Sequence, residues 1–116
     1  MAVLLKRVYA EAVKGDGFRI LVDRLWPRGL SRDQAKLDLW LKELAPSHEL
    51  RKWYAHAPLR WEEFKDRYFE ELDQTRSGIE RLRECLAKGD VTLLFAAKDE
   101  DHNNAVALKE YLSRFE

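Results

Sequence analysis

Two stretches constrain the fold more than any other: "RILVD" (Arg19–Asp23) and "VTLLFAA" (Val91–Ala97). In the first, Ile20, Leu21 and Val22 are apolar on successive residues, and the second is apolar almost throughout. Successive side chains of a strand point to opposite faces, so a strand that is apolar on consecutive positions is buried on both. A small chain covers both faces of a sheet most simply with crossover segments between parallel strands. The segments between the strands support this. Trp61, Phe64, Tyr68 and Leu72 share one helical face, as do Ile79, Leu82 and Leu86, and then Ala105, Leu108, Leu112 and Phe115.

The expected elements follow in order. Met1–Val8 reads as a strand, and "KGDG" (Lys14–Gly17) as a turn. Phe18–Asp23 reads as the second strand, and "LDLWL" (Leu37–Leu41) as a short strand or extended segment. Ser31 with Gln34 and Ser77 with Glu80 have capping-box spacing, Ser47 reads as an N-cap, and Pro58 falls in a first turn. Gly89 is a natural helix stop. The expectation is one α/β domain over residues 1–116, with a small, mainly parallel sheet of about four strands in Rossmann-like layering. An antiparallel hairpin of the first two strands through "KGDG" is the alternative.

Several function classes are disfavoured. Lysine plus arginine equals aspartate plus glutamate, 21 each, so a broad phosphate-backbone footprint and nucleic-acid binding are not expected. The single cysteine, Cys85, forms no disulfide framework or multi-thiolate metal site and reads as semi-buried structure. Only three apolar residues separate Ala2 from Lys6 and Arg7, which is short for a signal peptide, and no apolar run approaches the ~20 residues of a membrane span. A soluble, cytoplasmic protein is expected. No dinucleotide fingerprint, phosphate loop, zinc-protease helix or serine elbow is present, so no cofactor is implied.

Chemistry gathers where the two buried strands stop. One leaves through "DRLWPRG" (Asp23–Gly29) and the other through "AAKDEDHNN" (Ala96–Asn104). In open α/β sheets, ligands sit beyond the carboxyl ends of the strands. Asp23, Arg24, Arg28, Lys98, Asp99 and His102 should therefore converge on one edge. Arg24 and Arg28 suit a phosphate or carboxylate, with Asp23 orienting one of them. A salt-bridge network with Asp23 and Asp99 explains the same charges. Trp26 is either a stacking surface or core, and Pro27 and Gly29 shape the loop. Asp99 or Asp101 would cap the last helix, with His102, Asn103 and Asn104 in its first turn. Lys98 is unfavourable beside that helix start, which makes it suggestive of a ligand, and His102 is the best-placed general acid or base. Asp99, Asp101 and His102 as metal ligands would have to turn inward together, so no metal is expected.

The combination of "DRLWPRGLS", "WLKELAPSHELRKWY", "RWEEFKDRY" and "LLFAAKDEDHNNAVALKEYL" resembles the YeaO-like branch of domain-of-unknown-function family 488, over nearly the whole chain. The resemblance implies a small cytoplasmic prokaryotic α/β protein and brings no established reaction. Longer relatives show Asp-x-Arg with a Pro-Arg-like turn, mapping onto Asp23, Arg24, Pro27 and Arg28. They also show a Glu-Lys-Asp stretch with Cys-His, mapping onto Lys98, Asp99 and His102. The cysteine of those forms is absent here, which argues against thiol chemistry. The branch usually reads His-Asp-Pro where this chain has His56, Ala57 and Pro58; the change removes a helix cap and weakens His56 as a site residue.

Two functions follow from the residues. One is a small hydrolase or transferase acting on an anionic, nucleotide-like molecule. In it Arg24, Trp26, Arg28, Lys98 and Asn103 would bind the substrate, Asp23 would orient, and His102 would move a proton. The other is a non-catalytic module that uses the same cleft for a metabolite or a protein partner.

Overall fold

The computed structural model describes residues 2–114. Four strands, β1 (Val3–Arg7), β2 (Phe18–Leu21), β3 (Leu39–Trp40) and β4 (Val91–Phe95), form one sheet in the order β1-β4-β2-β3, and every pairing is parallel. The helices are α1 (Arg32–Ala35), α2 (His48–Tyr54), α3 (Trp61–Asp73), α4 (Arg76–Lys88) and α5 (Asn104–Ser113). This is the small α/β fold expected from the sequence.

The alternative hairpin does not form. β4 lies between β1 and β2, with Val3 and Phe18 both opposite Val91. "KGDG" instead makes a single 3-10 turn over Lys14–Asp16, and Gly17 follows at φ 65°. A Cβ on Gly17 would lie 2.3 Å from the Asp90 carbonyl oxygen, so only glycine lets the chain pass this close to the start of β4. Phe18 N then donates to Asp90 O at 3.0 Å, and β2 begins beside β4.

The two faces of the sheet carry different covers. Ile20, Val22, Leu93 and Phe95 point to the face packed by α2, α3 and α5, together with Phe64, Tyr68, Leu72 and Leu108. Leu21 and Leu94 point the other way, into a smaller cluster with Val8, Ala35, Trp26 and Trp40. Ile20, Leu21, Val22, Leu93 and Leu94 are all 0% exposed, which is the two-sided burial that the sequence pattern demands. Each such side chain contributes roughly 1.5–3 kcal/mol by leaving water.

Some of the local signals are realised and others are not. Ser31 and Gln34 do exchange capping hydrogen bonds, at 3.1 and 2.9 Å, and Ser47 Oγ accepts from Leu50 N at 3.1 Å. Pro58 opens a 3-10 turn, Pro58–Arg60, that runs directly into α3. The Ser77–Glu80 box does not form, because α4 starts two residues earlier, at Arg76, with Thr75 as its N-cap. Only Gln74 and Thr75 separate α3 from α4, and Thr75 Oγ1 bonds back to Glu71 O at 3.0 Å, so the chain re-enters a helix before Ser77 is reached. Gly89 ends α4 in an extended conformation (φ 161°), not the left-handed one. Leu82 and Ile79 are buried as expected, and so are Ala105, Leu108 and Leu112. The expected positions Met1 and Phe115 lie outside the described residues.

Candidate functional site

β2 and β4 end side by side, and Asp23 locks the two exits together. Its Oδ2 accepts from Ala96 N at 2.9 Å, and its Oδ1 accepts from Asn104 Nδ2 at 3.0 Å. Asn104 Nδ2 also donates to Val22 O at 3.0 Å, and Trp40 Nε1 donates to Asp23 O at 2.7 Å. Burial pushes the Asp23 carboxyl above its ordinary value, while the Ala96 and Asn104 bonds and the nearby Arg51 charge act against this. Asp23 is thus bonded to the ends of β4 and α5, and neither Arg24 nor Arg28 bonds to it.

The loop after β2 is shaped by its own residues. Pro27 is buried, and Gly29 sits at φ 78°, a left-handed conformation that glycine adopts freely. Trp26 Nε1 donates to Leu30 O at 2.6 Å, and its ring packs edge-on to Trp40 with centroids 5.4 Å apart. Trp26 therefore belongs to the smaller core while still lining the cleft. Tyr9 Oη donates to Arg28 O at 2.9 Å and fixes that backbone. Arg24 and Arg28 are exposed at the cleft, and among the described residues neither forms an ion pair. Arg24 reaches Ala45 O only at 3.4 Å, beyond the usual hydrogen-bond range.

The loop after β4 differs from expectation. Asp99 does not cap α5. Its Oδ1 accepts from Asp101 N at 2.9 Å and from His102 N at 3.0 Å, forming a local turn. The α5 cap is Asn103, whose Oδ1 accepts from Val106 N at 3.0 Å while its Nδ2 donates to Asp99 O at 2.9 Å. Asn103 is 3% exposed. His102 precedes the cap. Its Nδ1 lies 3.1 Å from Asp99 Oδ2, and its ring meets Trp61 edge-on at 5.4 Å. The Asp101 amide, followed by the His102 contacts, pulls the Asp99 carboxyl below its ordinary value. Lys98 is exposed and does not line the cleft. Just before it, the Ala96 and Ala97 carbonyls accept from Arg7 at 2.9 and 3.0 Å.

The structure thus brings Asp23, Arg24, Trp26, Arg28, His102 and Asn103 around one cleft of ≈ 440 Å³. That volume falls in the range of small-molecule pockets. Sequence reasoning missed the far wall, Arg51 and Tyr54 on α2, and set aside His56 just beyond it. Arg51 and Tyr54 are three apart on one helical face, a signal that acquires meaning only once α2 is known to line the same cleft as Asp23. The Arg51 Nε is buried without a hydrogen-bond partner. Tyr54 stacks on Phe64 at 4.4 Å and donates to His102 O at 3.2 Å. Ala55 and His56 both have positive φ, 47° and 55°. Ala57 heads the Pro58 turn without a side-chain cap.

Cys85 lies beside Gly17, Phe18 and Asp90, at the opposite end of the sheet, and is half-buried. Among the described residues no group of three or more His, Cys, Asp or Glu could hold a metal ion. No helix among them is long and apolar enough to cross a membrane.

These features define a small, all-parallel α/β protein with an arginine-lined cleft at its strand ends. The chain belongs to the DUF488 group of proteins: the family described as the inactive DUF488-N3 subclade (DUF488-N3i) matches residues 2–115. It is 42% identical over 112 residues to the uncharacterized protein YeaO of Escherichia coli strain K12, covering 97% of each chain. It is 39% identical over 111 residues to the uncharacterized protein Rv3073c of Mycobacterium tuberculosis strain H37Rv, covering 96% of this chain and 93% of that one. No solved structure matches.

Proposed function

We propose that the cleft binds a small anionic molecule and that the protein acts as a non-catalytic module for it. One observation carries this reading: Arg24 and Arg28 meet His102 in a single cleft, and among the described residues neither arginine has an acidic partner. Guanidinium forks match phosphate or carboxylate oxygens bidentately. Asp23, the acid lining the same cleft, already accepts from Ala96 and Asn104. The description of the matching subclade as inactive favours binding over chemistry.

A second reading has its own observation, the contact of His102 Nδ1 with Asp99. A carboxylate at Nδ1 fixes the imidazole tautomer and leaves Nε2 free to move a proton. That supports a hydrolase or transferase acting on an anionic, nucleotide-like substrate.

Thermal unfolding tests the binding reading. A ligand that binds only the folded state stabilises it by RT ln(1 + [L]/Kd). A site with Kd of ~1 mM probed at ~10 mM phosphate gains ~1.4 kcal/mol. In a domain of this size that raises Tm by roughly 5 °C. Chloride at matched ionic strength controls for screening. Arg28→Ala should abolish the phosphate-specific shift, and Arg28→Lys should keep part of it. If phosphate, sulfate and nucleotides all behave as chloride does, the anion site is lost and the arginines are surface charge. His102→Gln separates the two readings: the module keeps its phosphate shift, whereas any turnover found in the parent would vanish.

A further inference from the structure

We propose that Arg51 is the anchor of the cleft, and that its ligand is a phosphate or carboxylate carried on a flat apolar ring. This rests on the binding reading above and names the ligand class for the same site.

The argument starts from an unmade hydrogen bond. A guanidinium offers five N–H donors, and a buried donor left without an acceptor is rare and costly. The Arg51 Nε is buried and has none. Asp23 is close enough for its charge to be felt, but its two oxygens accept from Ala96 and Asn104. Arg51 is therefore compensated in charge and left unbonded at Nε. Its backbone is well held. Its backbone sits in α2 through Arg51 N to Ser47 O at 3.0 Å and Ala55 N to Arg51 O at 2.9 Å. Ser47 is in turn fixed by Glu71, which accepts from its amide at 2.7 Å and its hydroxyl at 2.6 Å. A guanidinium at the wall of a cleft, with a buried donor still unused, suits an oxyanion.

The walls describe the rest of the ligand. A cleft of ≈ 440 Å³ suits a small organic molecule. Its lining includes the aromatic residues Tyr9, Trp26, Tyr54 and Phe64. His56 stands at the same cleft, following Ala55 in the left-handed region that non-glycine residues seldom enter twice in a row. Backbone strain of this kind gathers at ligand clamps. Rings on the walls and one oxyanion anchor fit an aromatic or heteroaromatic phosphate or carboxylate.

The test is calorimetric titration of the full chain with inorganic phosphate, methyl phosphate, phenyl phosphate, benzoate and adenosine monophosphate. Phenyl phosphate should bind at least tenfold tighter than methyl phosphate. Adenosine monophosphate matching or exceeding it points to a nucleotide source, and benzoate matching it points to an aromatic acid. Arg51→Gln should weaken phenyl phosphate at least tenfold, and Arg51→Lys nearly as much, because lysine keeps the charge but has no Nε–H. Should either variant fold poorly, the Arg51 Nε–H resonance of the parent protein gives the same answer, since it must shift on adding phenyl phosphate. Equal affinity for methyl and phenyl phosphate, or an unmoved Nε–H resonance, overturns the proposal. If phosphate binds and Arg28→Ala abolishes it while the Arg51 variants bind normally, this inference falls and the binding reading survives. If no anion binds at all, both fall.

Discussion

Arg19 and Arg51 are both partly or wholly sheltered from water, yet the protein treats their guanidiniums differently. Arg19 donates Nε to Lys36 O at 3.0 Å, Nη2 to Ala35 O at 2.9 Å and Nη1 to Asp16 at 2.6 Å. Asp16 also accepts from Lys6 Nζ at 2.7 Å and from Val13 N at 3.1 Å. This network lies on the thinly covered face of the sheet, where Lys6, Arg19 and Thr92 project between the strands. Every group there has a partner from the chain itself. At the strand ends, Arg51 has a buried Nε with no partner, and Arg24 and Arg28 face the cleft without acids. The difference separates charge used to hold the fold from charge left for a ligand. Strongly placed charges arise from both causes, and only the partner inventory tells them apart.

The largest expected effect comes from breaking the closed network. Asp16→Ala leaves Arg19, whose side chain is 6% exposed, as an uncompensated buried cation. Removing one partner of such a pair costs about 3–5 kcal/mol. Denaturant titration should show this as a lower midpoint with an unchanged slope. A loss under about 1 kcal/mol would mean that water reaches the network and that the contrast with the cleft is false.

A smaller effect, of opposite sign at the two places, is expected with pH. Burial would raise the Asp16 carboxyl, but Lys6, the Val13 amide and Arg19 outweigh it and hold it below 3.8. A depressed carboxyl contributes stability in full above its unfolded value of about 3.9 and loses it as pH falls through the folded value. Asp23 is raised, so its buried charge costs stability at neutral pH, and the cost is relieved as pH falls through its folded value. Acidification from neutrality should therefore relieve Asp23 first and break the Asp16 network only below about pH 4. Asp99, also lowered, adds to the later loss. Unfolding curves at a series of pH values should show that Asp16→Asn flattens the acid limb. A parent stability that falls steadily from pH 7 would contradict the assignment for Asp23.

The two regions also differ in how far they could be read beforehand. The strand ends were legible because apolar runs at 20–22 and 91–95 announce two-sided burial, and chemistry following such a run marks an edge. That reasoning placed Asp23, Arg24, Arg28 and His102 at the cleft they line, and also Lys98, which lies outside it. It did not find Arg51, since a lone arginine within "HELRKWY" carries no mark of the cleft that its helix lines. The Asp16 network was hidden for a related reason: "KGDG" reads as a turn, and its partners Lys6 and Arg19 lie on two strands with β4 between them. Strand order is a global outcome that local signals do not encode. Capping failed where signals were degenerate. Asp99, Asp101 and Asn103 are all good N-caps, and Asn103 takes the role because Asp99 is turned onto the amides of Asp101 and His102.

Cys85 belongs to neither charged region and sets a baseline. It is half-buried against the main core at the far end of the sheet. Cys85→Ala should keep the fold and cost ~1 kcal/mol, the size of a modest packing change. Rapid labelling of the native protein by a thiol reagent would instead reveal an exposed, ionised cysteine.

The smallest expected effect is the most discriminating. Arg28 is exposed, and Tyr9 bonds its backbone oxygen, not its side chain, so Arg28→Ala removes no contact on which the loop depends. Surface substitutions of this kind stay within about 0.5 kcal/mol. Arg24→Ala should behave alike, since its bond to Ala45 O is long at 3.4 Å. Measured in chloride, both variants should unfold with the parent. If the arginines instead formed a structural network like the one at Asp16, truncating either would strand an acid and lower the midpoint by several kcal/mol. A loss above about 1 kcal/mol in chloride would move these residues into the closed class and remove the basis for an anion site. Near-zero cost in chloride, joined to loss of the phosphate-specific shift, is the pattern that only an open, ligand-directed cluster produces.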